Sequence, residues 1–370
     1  METLNVLVLG GDGIGPEVAE QAVAVLQAVT EEFGIGLNLE EAAIGGVSID
    51  QNGVPVTRQA IDLARSSDAV LLGAVGGAKW DSLPSHRRPE RGFLELRDGL
   101  SVFANLRPTK LFPMLADASP LRPERARSVD FVIVRELLGD VYFGNPRGVW
   151  DECESRKGVN TMVYTEGEIR RIGRTAFEMA RRRGKKLASV DKANVLEVQA
   201  LWRDVISELG SEYPDVTLNH LYVDACAMQL VLDPRRFDVI VTGNLFGDIL
   251  SDEAAALAGS IGLLPSASIG GSSSLYEPIH GSAPDLVGTG KANPVGAILS
   301  VAMLLEYTLG RPDLARVVEQ AVESVLDQGL RTADIAGTGA KWVSGSEMGA
   351  AIVQQVRLAA NAPTWVAQAR

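Results

Sequence analysis

Short apolar runs recur along the chain at Asn5–Leu9, Ala69–Leu72, Phe131–Val134, Leu187–Val190 and Val239–Val241. Each has the length of a strand rather than a helix. Gly10, Gly11, Asp12 and Gly13 break the first run. Pro16 then stands where the first turn of a helix belongs, and Val18, Ala22, Val25, Leu26 and Val29 follow at helical spacing. The pattern reads as strand, glycine turn, helix. Further helical stretches lie between later runs, at Glu166–Arg183 and Lys192–Leu209, and Val295–Leu305 reads as a buried core helix. Strands alternating with helices predict an α/β architecture around a largely parallel sheet. The Pro- and Arg-rich stretch Arg107–Arg127 is a candidate crossing from one domain to another.

Several runs end on polar groups. Arg135 and Glu136 follow the third, Asp191 and Lys192 the fourth, and Thr242, Gly243 and Asn244 the fifth; Asp224 follows a further run at Leu221–Val223. Ligands of open α/β sheets bind beyond the carboxyl ends of strands, so these groups are candidates for a site. Helix capping and turn chemistry account for any one of them as well.

Composition narrows the function classes. The 370 residues are 46% hydrophobic and 22% charged, which supports a buried core and excludes a disordered chain. A net charge of −12 argues against sequence-independent nucleic-acid binding, which needs a basic footprint. Two cysteines, Cys153 and Cys226, exclude a disulfide framework, and three scattered histidines, His86, His220 and His280, argue against a multi-His metal site. No apolar run reaches the roughly 18 residues of a membrane span. The N-terminus opens directly on a strand without a signal pattern, so the expectation is a reduced, cytoplasmic protein with no membrane partner.

The glycine cluster invites a dinucleotide reading that its spacing refuses. Starting G-x-G-x-x-G at Gly11 places Pro16 at the last glycine, and starting at Gly13 places Val18 there. Neither Gly184-Lys185 nor Gly290-Lys291 completes a P-loop. A tight turn, or an anion site at a helix N-terminus, remains. Asp248 and Asp252 are i and i+4, so a helix sets both carboxylates on one face about a turn apart. Their repulsion is relieved by a hard divalent cation, Mg²⁺ or Mn²⁺, to which Asp224 can add a third carboxylate. A solvated acidic face is the plain alternative. Arg97, Arg107 and Arg135 offer planar forks suited to carboxylates, and Tyr142 and Lys192 are a potential acid and base. The small-residue stretch from His280 to Asp285 allows close backbone approach to a ligand and ends in a carboxylate suited to ribose hydroxyls.

Longer blocks carry a resemblance. GDGIGPE (11–17), GGAKWDSLP (76–84), FANLRP (103–108), VRELLGDVYFG (134–144), SVDKANVLE (189–197), YVDACAMQL (222–230), VTGNLFGDILSDEAA (241–255) and YEPIHGSAPD with KANP (276–285, 291–294) together resemble the β-decarboxylating isocitrate/isopropylmalate dehydrogenase family, from about residue 5 to residue 350. The resemblance implies a two-domain α/β fold with mixed sheets and flanking helices, not a Rossmann fold. The first domain would comprise 1–102 and 259–370, the second 103–258, with the active site in the cleft between them. Arg97, Arg107 and Arg135 match the family's carboxylate-binding arginines, and Glu90, Phe93, Leu94 and Val195 line the substrate pocket. Asp224, Asp248 and Asp252 match the Mg²⁺/Mn²⁺ ligands, and Tyr142 and Lys192 the catalytic acid/base pair. Lys192 and Asp224 would cross from the partner of a homodimer. Gly77, Glu90, His280, Gly281, Ser282, Ala283, Pro284, Asp285 and Asn293 fall in the segments that bind NAD, and Asp285 stands where relatives using NADP usually carry lysine.

The implied reaction is NAD-dependent oxidative decarboxylation of 3-isopropylmalate to 4-methyl-2-oxopentanoate and CO₂, a step of leucine biosynthesis. The family's usual Gly-Leu-Leu before Leu-Arg is here Gly92-Phe93-Leu94-Glu95-Leu96-Arg97. An apolar pocket with Leu94 and Val195 disfavours isocitrate, whose extra carboxylate would be buried without a partner. The alternative is the same chemistry on another 3-substituted malate, D-malate or tartrate. A Mg²⁺-dependent phosphoryl-transfer enzyme and a non-catalytic binding protein are the readings from other classes. Residues from about Asn361 extend past the family's usual end.

Overall fold

A computed structural model describes residues 3–126, 129–153 and 155–360. The tail from Asn361, and the end of the 107–127 stretch, lie outside the described residues. The chain begins β1 (Thr3–Gly11), α1 (Gly15–Glu32), β2 (Gly36–Glu41), α2 (Gly46–Asn52), α3 (Arg58–Ser66), β3 (Ala69–Ala74), α4 (Pro89–Leu100). It continues β4 (Ala104–Lys110), α5 (Pro123–Ala126), β5 (Asp130–Glu136), β6 (Gly148–Glu152), β7 (Ser155–Val159), α6 (Glu166–Arg182), β8 (Lys186–Asp191), α7 (Glu197–Gly210). It ends β9 (Thr217–Tyr222), α8 (Val223–Leu232), β10 (Val239–Thr242), α9 (Asn244–Leu257), β11 (Pro265–Ile269), β12 (Ser274–Pro278), α10 (Val295–Tyr307), α11 (Pro312–Asp327), α12 (Gly345–Ala360). Two compact units result: residues 1–102, 112–120 and 258–370 form the first, and 103–111 with 121–257 the second.

In the first unit the strand order is β2-β1-β3-β12-β11. The pairs β1/β2, β1/β3 and β3/β12 are parallel, and β11/β12 is antiparallel. Pro16 at the start of α1 matches the lack of partners for the first amides of a helix. α10 is buried from Val295 to Leu305, packed against α1 and α11, which accounts for its unbroken apolar run.

In the second unit the order is β4-β5-β10-β8-β9, with β4/β5 antiparallel and the rest parallel. α6 opens on a reciprocal capping box between Thr165 and Glu168. Trp202 on α7 is fully buried, and removing a side chain of that size costs about 3–5 kcal/mol. β6 and β7 pair as a separate, exposed two-stranded hairpin.

Most of these strand pairs are parallel, as expected, and the mixed character comes from a short loop at 270–273 that turns β11 straight back into β12 and from β4 running against β5. One expectation needs correction. The helix expected from Lys192 begins only at Glu197. Asp191 accepts the Ala193 amide and turns the chain, so Lys192 sits in a loop.

Candidate active site

β5 delivers Arg135 at its carboxyl end, and β10 leads through Gly243 into α9. The first amides of α9 are satisfied from outside the helix. The Asn244 amide donates to the Tyr164 hydroxyl (2.8 Å), and the Leu245 amide to Asp140 Oδ2 (3.1 Å). Burial is the main reason the Tyr164 phenol is pushed well above its usual pKa, with Glu136 and Asp140 adding to it. It therefore stays a neutral hydroxyl that fixes where α9 starts.

From that start, α9 presents Asn244, Asp248 and Asp252 at successive i+4 positions. Asn244 Oδ1 accepts from both Nε (3.0 Å) and Nη2 (2.7 Å) of Arg135, and Nη1 of the same guanidinium donates to Asp248 Oδ1. The Tyr142 hydroxyl donates to the other oxygen, Asp248 Oδ2, at 2.9 Å. Arg107, from β4, places Nη1 2.6 Å from Ser251 Oγ, 3.5 Å from Asp248 and 3.6 Å from Asp252. Both arginines are buried, while the two carboxylates are partly open to solvent.

The electrostatics follow from that placement. Burial, then the Asp248 charge and hydrogen bond, push the Tyr142 hydroxyl to a pKa of about 12. The Asp252 carboxyl is raised, chiefly by burial and further by Asp248, against the lowering effect of Arg107. Glu136, adjacent to Arg135, is buried and raised, chiefly by loss of water; it accepts the Leu138 and Gly139 amides and so shapes the turn after β5.

Lys192 and Asp224 form a separate pair, Nζ to Oδ1 2.6 Å, with the Asp224 carboxylate exposed. Asp224 lies in the first turn of α8, and its hydrogen bond to Lys192 holds its carboxyl below the usual range. Arg107, Arg135, Tyr142, Asp248 and Asp252 are thus brought together in one chain, and Lys192 with Asp224 is not part of that cluster. Among the described residues no three His, Cys, Asp or Glu side chains stand close enough to hold a metal. Val195, in the loop before α7, is exposed.

The remaining candidates lie in the first unit. Arg97 is buried on α4, donates to Glu277 Oε1 at 2.9 Å, and stacks on the ring of Phe93 one turn earlier, 3.9 Å from its centroid. Leu94 is half-buried beside it. Glu90, in the first turn of α4, brings Oε1 within 3.0 Å of where a Cβ on Gly76 would be, and Gly77 follows in the loop after β3.

His280 Nδ1 stands 2.9 Å from the carbonyl of Gly281. A carbonyl only accepts, so Nδ1 carries the proton and Nε2 is a bare acceptor; Nε2 is buried and unpartnered. Burial lowers the His280 pKa and keeps the ring neutral. Ser282 is buried, Ala283 holds a left-handed conformation (φ 37°), and Gly281, Pro284 and Asp285 are exposed. The Asn293 side chain is already used: Nδ2 donates to Asp334 and Oδ1 accepts the Val295 amide at the start of α10.

Glu277, Tyr164 and Asp334 carry no signal by residue type. Glu277 lies within a quoted block and Tyr164 just before α6, whereas Asp334 stands in the loop between α11 and α12. The partner of Glu277, Arg97, is 180 residues away in sequence.

Comparison with known proteins follows the same lines. Residues 5–352 match the isocitrate/isopropylmalate dehydrogenase family. The chain is 58% identical over 352 residues to a 3-isopropylmalate dehydrogenase of Hahella chejuensis, covering 95% of this chain and 98% of that protein. It is 56% identical over 355 residues to one from Trichormus variabilis, with the same shares. Among solved structures, an isocitrate dehydrogenase from Methylococcus capsulatus superposes with a TM-score of 0.85 at 34% identity, over 96% of this chain and 99% of that one. A β-decarboxylating dehydrogenase from Thermococcus kodakarensis gives 0.76 at 36% identity, over 95% and 96%.

Proposed function

The chain belongs to the isocitrate/isopropylmalate dehydrogenase family, and we propose that it oxidatively decarboxylates 3-isopropylmalate to 4-methyl-2-oxopentanoate in leucine biosynthesis, with NAD⁺ as oxidant and Mg²⁺ or Mn²⁺ as metal. It is a decarboxylating oxidoreductase. The observation that carries the site reading is the cluster of two buried arginines, two aspartates a turn apart and a tyrosine.

Its donor set suits the metal. Asp248 and Asp252 offer only oxygens, one turn apart on α9 and partly open to solvent, a set suited to a hard divalent cation. The cofactor segment suits a dinucleotide: the bare Nε2 of His280 is a buried acceptor in need of a donor such as an exocyclic adenine amine. When bound, the cation supplies Lewis-acid polarisation of the substrate hydroxyl and carboxylate, and NAD⁺ takes the hydride.

The chain's own groups divide the remaining work. Arg107 and Arg135 hold the malate carboxylates in fixed planes, and Arg97 of the first unit serves the same class of contact. Glu90, Phe93 and Leu94 of α4 are the groups that would face the substrate's 3-substituent. Tyr142, with its pKa near 12, keeps its proton at neutral pH and delivers it to carbon after CO₂ leaves. Lys192, in its neutral amine form, accepts the hydroxyl proton or relays it to the base. In this reading Lys192 and Asp224 act in the site of a second copy. Two features support a homodimer: the Lys192–Asp224 pair stands outside the cluster, and α8 and α9 expose Met228, Val231, Leu232 and Ile249, an apolar face suited to burial against another copy.

The test is NADH formation from 3-isopropylmalate, NAD⁺ and Mn²⁺, with parallel samples containing EDTA, NADP⁺ or D-malate. Fast reduction confined to NAD⁺, isopropylmalate and metal is the expected result. Turnover only on D-malate would transfer the reading to another malate and point to the Phe93–Arg97 stack. No turnover by folded protein would overturn the dehydrogenase site.

A further inference from the structure

The turn after β1 is built around a charge that the proposed reaction does not use. Asp12 is 4% exposed and has no ion-pair partner among the described residues. Its carboxylate is instead saturated by backbone amides. Oδ2 accepts from Gly46 and from Gly76, and Oδ1 from Val47, each at 2.8 Å. Those donors come from two segments, the first turn of α2 and the loop leaving β3. Gly45 must approach so closely that a Cβ there would lie 2.3 Å from Asp12 Oδ2, and its φ of 81° suits glycine.

The other side of the same turn is equally committed. The Ile14 amide donates to the carbonyl of Ser282 at 2.8 Å, and the Gly15 amide to Asp12 O at 2.9 Å. A Cβ on Gly13, at φ 58°, would lie 2.0 Å from the Ser282 carbonyl oxygen. Two amides at the head of α1 are therefore spent on carbonyl groups. That leaves GGDGIGPE fewer amides with which to hold an anion, since a helix N-terminus binds one through free amides. It also makes the turn a bracket. One segment starting at Gly76–Gly77 hangs from the Asp12 carboxylate, and the other, at Ser282, hangs from Ile14.

We propose that Asp12 is a positioning residue for the nicotinamide dinucleotide: its carboxylate fixes the course of the Gly76–Gly77 backbone on which one edge of the cofactor rests. This builds on the reading of Gly77–Glu90 and His280–Asn293 as cofactor segments. A carboxylate is required because three inward-pointing amides need two acceptor oxygens. An amide in its place keeps one acceptor and turns its own N–H groups toward other donors.

The experiment uses the full-length protein and the D12N variant. NADH titration measures affinity in the absence of turnover, hydrogen exchange reads the Gly76 amide in the free protein, and steady-state kinetics separates KM for NAD⁺ from KM for the malate. D12N is expected to speed exchange at Gly76 and to weaken NADH binding and raise KM for NAD⁺ by about tenfold or more, with KM for the malate and kcat at saturating NAD⁺ changed by less than about threefold. A purely structural role would lower melting temperature and active fraction and leave KM for NAD⁺ unchanged, and that result overturns the proposal. So does a parallel rise of both KM values. If D12N does not fold, D12S, which keeps one oxygen acceptor in less space, takes the same measurements with the same expectation. Absence of NADH binding by the unaltered protein would instead sink the cofactor reading, and the two failures are thereby told apart.

Discussion

In the second unit, Arg107, Arg135, Tyr142 and Asp248 hold one another side chain to side chain. In the first unit, the loops near Gly76 and Asn293 are held by two carboxylates that lie outside them. Asp12 gathers three amides, and Asp334 gathers the Ser260 hydroxyl, the Asn293 amide and the Thr332 hydroxyl. The first plan puts reactive groups directly in the framework, so losing one removes a chemical function. The second leaves the proposed cofactor surface to backbone, so losing a support displaces a surface without removing a reactive atom. Damage to the former should appear in turnover, and damage to the latter in cofactor affinity.

The sharpest separation comes from Arg135→Gln. It removes a buried fork held between Asn244 and Asp248, and kcat/KM for the malate should fall by roughly 10²–10³-fold with NADH affinity intact. Equal loss of NADH binding, measured by titration, would show that the two regions are not independent. Asp285→Ala is expected to act in the opposite sense, raising KM for NAD⁺ about tenfold through loss of a charge-assisted hydrogen bond while sparing KM for the malate. An unchanged KM for NAD⁺ would remove Asp285 from the cofactor segment.

The smallest effect is in stability. His280 is buried with a lowered pKa, so the unfolded chain binds a proton more readily than the folded one. Its contribution is complete above the unfolded value near 6.5 and is lost as pH falls below it toward the folded value. Denaturant melts across that range should therefore show a shallower loss on acidification for His280→Gln than for the unaltered chain. An identical slope would mean that His280 is not buried as a neutral ring.

Much of this was legible because it is local. The runs that became β1, β3, β5, β8 and β10 are apolar on both faces, and Asp248 and Asp252 advertise a shared helix face by spacing alone. β2 escapes such a reading because GLNLEE is largely exposed, and β4 because Arg107 and Pro108 interrupt it. Asp12 looked like one more turn residue. Its meaning lies in donors 34, 35 and 64 positions away, which no periodicity reports. The same holds for Asn244, whose amide side chain reads as capping chemistry until Arg135 is set beside it.

The separation of Lys192 and Asp224 from Asp248 also has a genetic face. If each site is assembled from two chains, as proposed, a Lys192→Met protein and an Asp248→Ala protein would each be inert alone. Mixed and allowed to exchange subunits, half of their dimers would carry one chain of each kind and hence one undamaged site, restoring about a quarter of full activity. Two defective alleles of this gene could then complement one another within a single cell, whereas a lone defective allele beside an intact one would simply leave about half of the sites active, because any site it spoils on an intact chain is matched by one the intact chain restores.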